Sequence, residues 1–164
     1  MLHNLESSRE WGLTPNTIPT PALIVDVPAM ERNVRRMADF FRDKSCKLRP
    51  HFKAHKTPEI ARRQLAAGSC TGLTCATVCE AEVAAEFCDD VLLANEAIGP
   101  GKCERLAALA RRIQITVAVD SQAGIEALDR AAKTAGVLIG AVVDLDVGQR
   151  RCGVQPGRDA AMLA

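Results

Sequence analysis

The chain has 164 residues, of which 48% are hydrophobic and 25% are charged, and its formal net charge is +1. These values are typical of one ordinary globular domain, and they give no electrostatic case for a nucleic-acid or membrane partner. Residues 1–19 are predicted to form a polar leader without the apolar core of a signal peptide, and no apolar run approaches the roughly 18 residues that span a bilayer. We therefore expect a cytoplasmic protein.

Apolar segments and helical segments then alternate along the chain. Residues 20–26 are predicted to be a strand, and residues 28–41 a helix with apolar side chains at three- and four-residue spacing. The next apolar segment is a predicted strand ending at Lys53, and Thr57 with Pro58 predicts a helix start. Further strands are predicted at 72–76, 91–94, 115–119 and within 137–147, with helices from Thr77 to Phe87, from Gly99 to about Arg112, from Asp120 or Ser121 to Gly136, and from Pro156 onward.

This alternation predicts parallel strands that are covered by helices. No G-x-G-x-x-G or Walker loop follows a predicted strand, so the nucleotide-binding folds lack their signature. Polar residues follow the carboxyl ends of the strands, as in a (β/α)8 barrel, which needs about 250 residues. We therefore predict a partial barrel of about five βα units, with a short open sheet as the alternative. The polar residues concerned are Lys53, Thr77, Asn95, Glu96, Asp120, Asp144 and Asp146.

The seven cysteines form no C-x-x-C pair, and only three histidines are present to complete a metal site. Without a secretory signal, a disulfide framework is not expected either. We predict reduced thiols that act as small core residues.

The segment Arg49–Lys56 carries the most distinctive chemistry of the chain. In a strand, Arg49, His51 and Lys53 would share one face, opposite to Phe52. Cations and an imidazole are costly to bury without partners, so such a face suits a cavity that holds an anionic, aromatic cofactor. Lys53 is the residue that we predict to carry covalent chemistry.

The same segment resembles the cofactor-lysine motif of the D-threonine aldolase and D-serine dehydratase-like enzymes, which are fold type III pyridoxal-phosphate enzymes of the alanine racemase type. The segments T-P-A-L at 20–23, E-A-E-V at 80–83 and A-N-E at 94–96 agree in the same order. The run D-V-G-Q-R-R-C-G-V at 146–154 resembles the family's D-V-G-x-x-R-C-G-V signature. The likeness extends from residue 20 to residue 154.

The resemblance implies that pyridoxal 5'-phosphate is bound as a Schiff base on Lys53, which is also the catalytic residue. It implies that Arg151 lies near the cofactor ring and that His51 and Asn95 orient the cofactor. Residues 20–164 would be the N-terminal part of an alanine-racemase-like, pyridoxal-phosphate-binding barrel. The C-terminal barrel units and the β-domain would be missing, together with the ligands of a divalent metal ion, so no metal ligand is predicted in this chain.

The implied function is a lyase of D-amino acid metabolism that acts on D-configured β-hydroxy amino acids, as a D-threonine aldolase or a D-serine dehydratase does. The partner is a small D-amino acid, and the resemblance allows a homodimer in the full-length form. The alternatives are an amino-acid racemase on the same scaffold, a protein that binds pyridoxal phosphate without turnover, and an inactive fragment. We expect the 164-residue chain alone to be neither active nor a stable monomer, because an open run of barrel strands exposes unpaired edges.

Overall fold

The computed structural model describes Thr14 and residues 16–164, so that most of the predicted leader lies outside the described residues and stays a prediction. Four strands form one parallel sheet in the order β1-β2-β3-β4, which confirms the predicted α/β fold. The strands are β1 (Leu73–Cys75), β2 (Asp90–Glu96), β3 (Gln114–Val119) and β4 (Gly140–Val143). The helices are α1 (Val27–Phe41), α2 (Pro58–Ala66), α3 (Val78–Ala84), α4 (Pro100–Leu109), α5 (Gln122–Ala135) and α6 (Arg158–Leu163).

The core lies between the sheet and the helices that cover it. Leu73, Val91 and Val117 come from three neighbouring strands, and each has no exposed surface. Leu106 of α4 is equally buried against the sheet. Strands that are buried on both faces are short apolar runs, and this explains why they could be recognised from composition. Within the described residues, no helix combines the length and the apolar character needed to cross a membrane.

The starts of α1 and α5 carry side-chain caps, whereas α2 begins at Pro58 as predicted but without a cap bond from the Thr57 side chain. The Asp26 carboxylate accepts a hydrogen bond from the Ala29 N–H at 2.8 Å, and the Ser121 hydroxyl accepts one from the Gly124 N–H at 3.3 Å. Gly136 ends α5 in the left-handed conformation with φ +66°, where a residue without Cβ is favoured. The predicted ends of α3 and α4 were each three residues too long, because both helices finish in a turn before the next strand.

The prediction of a strand at 20–26 is wrong. Residues 22–26 have no regular structure, and Leu23 and Ile24 are exposed at 102% and 58%. A strand needs a neighbour to satisfy its backbone hydrogen bonds, and no other described segment pairs with this one. The apolar composition was a sound indicator of a buried segment only where such a neighbour exists.

The predicted strand that ends at Lys53 is also wrong in its last residues. Leu48 and His51 make isolated parallel bridges to Cys70 and Thr74, so this segment lies beside β1. Pro50 has no N–H to donate, which interrupts a continuous ladder. The chain then enters a 3₁₀ turn at Phe52–Ala54. Lys53 therefore lies on a turn beyond the carboxyl end of the segment rather than on a strand face.

All seven cysteines are free thiols, as predicted, and Cys75, Cys88 and Cys103 are buried in the core. The prediction that they are core residues is wrong for Cys46 and Cys79, which are exposed. Burial is the main reason that the pKa of Cys75 rises to about 12, with Glu80 as the second cause. A thiol with so high a pKa stays protonated and unreactive at neutral pH.

Candidate functional site

The turn that carries Lys53 is anchored in the core by the side chain of Phe52. The Phe52 side chain is 2% exposed, and its ring lies 5.6 Å from the His55 ring and 6.3 Å from the Phe87 ring, measured between centroids. The N–H groups of His55 and Lys56 both donate to the Phe52 carbonyl, at 3.3 and 2.8 Å. The Lys53 side chain, in contrast, is exposed. The turn thus presents the Lys53 amine to solvent while its Phe52 side chain is packed in the core.

His51 precedes this turn and has an unusual ring nitrogen. Its Nδ1 atom is fully buried and has no hydrogen-bond partner among the described residues. Burial lowers the pKa of His51, and the positive charge of Lys53 lowers it further, against smaller opposite effects of Thr74 and Glu80. A neutral imidazole with a free nitrogen can bind a further polar group.

Arg49 does not share the face that the strand pattern predicted for it. Its guanidinium donates to both carboxylate oxygens of Asp90, at 2.8 and 2.7 Å, at the start of β2. Asp90 is also the main reason why the pKa of Arg49 is raised. Gly72 lies against this pair, because a Cβ there would overlap the Asp90 carbonyl and the Arg49 guanidinium. The bidentate pair anchors the segment before Lys53 at the opposite end of the sheet.

Glu80 connects the end of β1 to the same turn. Its side chain is buried, and its carboxylate accepts a hydrogen bond from the Ala76 N–H at 2.8 Å and lies 3.5 Å from the ammonium of Lys56. The Glu80 N–H donates to the Thr77 hydroxyl, which confirms the predicted cap of α3. The sequence predicted the helix cap but not that the carboxylate reaches past Thr77 to Ala76 and Lys56.

The carboxyl end of β2 brings Asn95 and Glu96 to the same edge of the sheet. The pairing of β2 with β3 shifts register between Leu93 and Glu96, an irregularity that changes the direction of the side chains. The Asn95 amide donates to the Ala76 carbonyl at 3.0 Å and accepts from the Glu96 N–H at 3.1 Å. Asn95 therefore ties the ends of β1 and β2 together, and its amide keeps one N–H and one lone pair for a ligand.

The loop after β4 is held by two aspartates. Asp146 accepts hydrogen bonds from the N–H groups of Gly148 and Arg150, at 3.0 and 2.9 Å, and these two bonds lower its pKa. The Asp120 carboxylate, at the end of β3, accepts from the Gly153 N–H at 3.3 Å. The loop is thereby folded back over the ends of β3 and β4. The hydrogen bond between Asp120 and Gly153 could not be seen in the sequence, because the two residues are 33 positions apart.

Arg151 is exposed on this loop, next to Cys152. Cys152, and at longer range Asp144 and Glu96, raise the pKa of Arg151. Arg151 by itself lowers the pKa of the Cys152 thiol, but the hydrogen bond to Asp144, burial and the charge of Glu96 together raise it. The protonated thiol donates to the Asp144 carboxylate, with Sγ and Oδ2 3.4 Å apart. Asp144 thus contacts the residue that follows Arg151.

Glu96, Asp144 and Cys152 meet at this edge, with one donor atom of each within 4.8 Å of the others. The Oε1 atom of Glu96 is buried and has no partner among the described residues. Burial raises the pKa of Glu96, and the charges of Asp120 and Asp144 raise it further. Cys152 and Asp144 are hydrogen-bonded to each other, so these three side chains do not offer three free ligand atoms. We assign no metal to them.

The described residues fit the anionic, aromatic cofactor that the motifs predict. Lys53 offers an exposed amine, Arg151 offers a second cation, and the buried Nδ1 atom of His51 lacks a partner in the described part of the chain. All three follow the carboxyl ends of parallel segments, where ligands of such sheets bind. The fold brings His51 and Lys53 together beside β1 at one edge of the sheet, whereas Arg151 follows β4 at the other edge. Their roles in binding stay predictions.

Comparison with known proteins identifies relatives over most of this chain. The D-threonine aldolase of Arthrobacter sp is 42% identical over 148 residues, which cover 90% of this chain and 38% of the relative. The D-threo-3-hydroxyaspartate dehydratase of Delftia sp. (strain HT23) is 31% identical over 150 residues, which cover 90% of this chain and 39% of the relative. The crystal structure of D-threonine aldolase from Filomicrobium marinum superposes with a TM-score of 0.87 at 44% identity, over 91% of this chain and 40% of that one.

The chain therefore spans about two fifths of the length of these relatives. A family model described as the N-terminal domain of alanine racemase matches residues 25–164, which is most of the chain. Both results confirm the resemblance that the motifs indicated, and they identify the parallel sheet as part of that domain. The chain belongs to the alanine racemase N-terminal domain family.

Proposed function

We propose that this chain is the lysine-bearing part of a pyridoxal-phosphate-dependent lyase that acts on D-configured β-hydroxy amino acids. The observation that carries the proposal is the exposed amine of Lys53 at the carboxyl end of a parallel sheet. It lies on a turn whose Phe52 side chain is buried in the core. Identities of 42% and 44% to two D-threonine aldolases, against 31% to a dehydratase, favour aldol cleavage over dehydration.

Lys53 has two tasks in such a reaction. Its Nζ atom holds the cofactor covalently until the amine of the substrate replaces it, and it is then free to carry a proton to or from Cα. When bound, pyridoxal phosphate supplies an electron sink for the electron pair that bond cleavage leaves on Cα. In the cleavage, the Cα–Cβ bond breaks, the β-hydroxyl loses its proton and becomes an aldehyde, and Cα gains a proton. D-threonine would give glycine and acetaldehyde.

The other predicted site residues would bind and orient the cofactor. Arg151 would place a fixed cation near the ring, where it tunes the electron distribution of the cofactor. The free Nδ1 atom of His51 would take a polar group of the ligand, and this would satisfy the buried nitrogen. Asn95 would contribute its remaining N–H while holding the ends of β1 and β2 together.

Covalent attachment tests the proposal directly. The intact protein, incubated with pyridoxal phosphate and reduced with borohydride, should carry the cofactor on the peptide that contains Lys53. A Lys53→Arg variant should lose the label, whereas Lys56→Ala should keep it, because the Lys56 ammonium points toward Glu80. Labelling at Lys56, or no labelling at all, would refute the assignment.

Product analysis separates the remaining alternatives. The intact protein with D-threonine should release acetaldehyde and glycine in equal amounts and should release little ammonia. Ammonia with a 2-oxo acid would indicate a dehydratase instead, and formation of an L-amino acid would indicate a racemase. Labelling at Lys53 without any product would indicate a binding protein without turnover.

A further inference from the structure

The His55 ring links the lysine-bearing turn to the start of α2. Its Nδ1 atom accepts a hydrogen bond from the Thr57 N–H at 3.0 Å, so this nitrogen carries no proton. The proton of the neutral ring is therefore on Nε2, which lies 3.2 Å from the side-chain oxygen of Gln64 and donates to it. A second bond runs in the opposite direction, from the Thr57 hydroxyl to the His55 carbonyl at 2.8 Å.

Both partners of His55 belong to the next helix. Thr57 is the residue before α2, and its own side chain makes no cap bond to the helix. Gln64 lies in the second turn of α2. On its other side, the His55 ring packs edge-on against the buried Phe52 ring. His55 thus fixes the turn to α2 through two hydrogen bonds and one aromatic contact.

The direction of the Lys53 side chain depends on the backbone of this turn. No hydrogen bond or ion pair within the described part of the chain restrains Lys53 Nζ. The turn also contains Lys56 at φ +51°, a left-handed conformation that is unfavourable for a residue with a Cβ. Such a backbone persists only where surrounding contacts determine it.

We propose that His55 is a positioning residue for Lys53, because its two hydrogen bonds hold the backbone from which the Lys53 amine reaches the cofactor. The inference rests on the proposed function, in which Lys53 binds the cofactor covalently. His55 itself does not touch the reacting atoms. Its ring is occupied on both nitrogens by Thr57 and Gln64, which leaves neither for a ligand.

Three variants of the intact protein separate positioning from simple stability. His55→Ala removes both bonds. His55→Asn restores the bond to the Thr57 N–H, because an Asn carbonyl accepts readily from the N–H two residues ahead. Asp26→Ala is the matched control, since it removes one bond between a side chain and a backbone N–H at the start of α1, away from Lys53.

The readout is the initial rate at which pyridoxal phosphate becomes fixed on Lys53 in the presence of borohydride, together with the melting temperature. We expect His55→Ala to slow the labelling of Lys53 at least tenfold, since small misplacements of reacting groups carry large rate penalties. His55→Asn should recover to within about threefold of the wild-type rate, as a single good hydrogen bond restores the backbone. Asp26→Ala should label at the wild-type rate even where it melts earlier.

Wild-type labelling at Lys53 with an unchanged rate in His55→Ala would refute the positioning role and leave the proposed function intact. Equal slowing in His55→Ala and Asp26→Ala would also refute it, because stability alone would then explain the loss. Failure of the wild-type protein to become labelled at Lys53 would refute the proposed function and the positioning role together.

Discussion

Glu96 shows how the fold changes the chemistry of a single carboxyl group. Its Oε1 atom is buried and has no partner within residues 16–164, and the charges of Asp120 and Asp144 raise its pKa. Burial and like charge both disfavour ionisation, and both therefore raise the pKa of Glu96 above its usual value. The sequence had identified Glu96 only as a polar residue at the end of a strand, since neither the burial nor the neighbours are visible in one segment.

The raised pKa of Glu96 predicts that Glu96→Gln stabilises the fold in a pH-dependent way. A group with a raised pKa binds more protons in the folded state than in the unfolded state. Its contribution to stability is therefore complete below pH 4.5 and is lost as pH rises through the folded pKa. Gln cannot ionise, so the variant should melt at a higher temperature than the wild type at pH 7, and the gain should disappear near pH 4.

Glu82→Gln provides a control of opposite sign for the Glu96 prediction. A hydrogen bond from Arg105 is the main reason that the pKa of Glu82 is lowered. This exposed pair contributes stability above the unfolded pKa, which is lost at acid pH, so the Gln variant should be slightly less stable at pH 7. If both substitutions stabilised the protein at pH 7, or neither did, burial of Glu96 would not be the cause of the expected stability change.

Arg151 and Arg150 are adjacent, and only the first is predicted to face the cofactor. We expect Arg151→Ala in the intact protein to reduce turnover by about 100-fold, the usual effect of removing one electrostatic contact to the reacting system. Arg150→Ala is the matched control, because Ala and Arg carry the same backbone penalty at φ +54°. Steady-state kinetics of both variants test the prediction. Small, equal effects would show that Arg151 is a solvent-exposed side chain without a role in turnover.

At the scale of elements, the loop from Asp144 to Val154 has a conformation that its own backbone hydrogen bonds and one glycine determine. Val154 donates to the Asp144 carbonyl, and Asp146 donates back to the Val154 carbonyl, each at 2.9 Å. Gly153 has φ +93°, and a Cβ on it would lie 2.7 Å from the Asp146 nitrogen and 2.8 Å from the Leu145 carbonyl carbon. The signature glycine is therefore required by close backbone contact as well as by its conformation.

Two glycines of this loop predict different penalties. Gly153→Ala should reduce the free energy of unfolding by about 3 kcal/mol or more, because backbone strain and overlap with fixed backbone atoms combine. Gly148→Ala has a comparable φ of +115° but open space around its Cβ, so about 1–2 kcal/mol is expected. Denaturant unfolding of both variants measures the difference, and equal penalties would show that the overlap relaxes.

The sequence predicted the elements whose signals are local. The caps of α3 and α5 and the apolar strands β1 to β4 follow from side chains within a few residues of one another. Residues 20–26 and the end of the Lys53 segment were assigned wrongly, because a strand also depends on a partner that local composition does not reveal. Candidate residues at strand ends were predicted for the same local reason. Their partners, such as Asp90 for Arg49, depend on contacts across the fold.

For the molecule as a whole, one group of exposed apolar side chains lies near the last strand of the described sheet, and a second group lies at residues 23–25. Leu138 and Val147 are exposed at 93% and 85%, and Val142 of β4 is exposed at 44%. β4 is the terminal strand, and no described segment pairs with its outer side. An unpaired strand with apolar neighbours is a template for association with other chains.

This arrangement predicts that the 164-residue chain, expressed alone, will associate through the β4 edge. Light scattering should show species larger than a monomer, and dyes that bind apolar surface should bind to it. Val142→Lys should reduce both signals, because a charge on an edge strand opposes pairing with another edge. Val83→Lys is the matched control, since Val83 is exposed at 45% on α3, away from that edge, and its substitution should leave association unchanged. A monodisperse monomer without dye binding would contradict the prediction, and equal effects of the two lysines would assign the association to general hydrophobicity instead of to the edge.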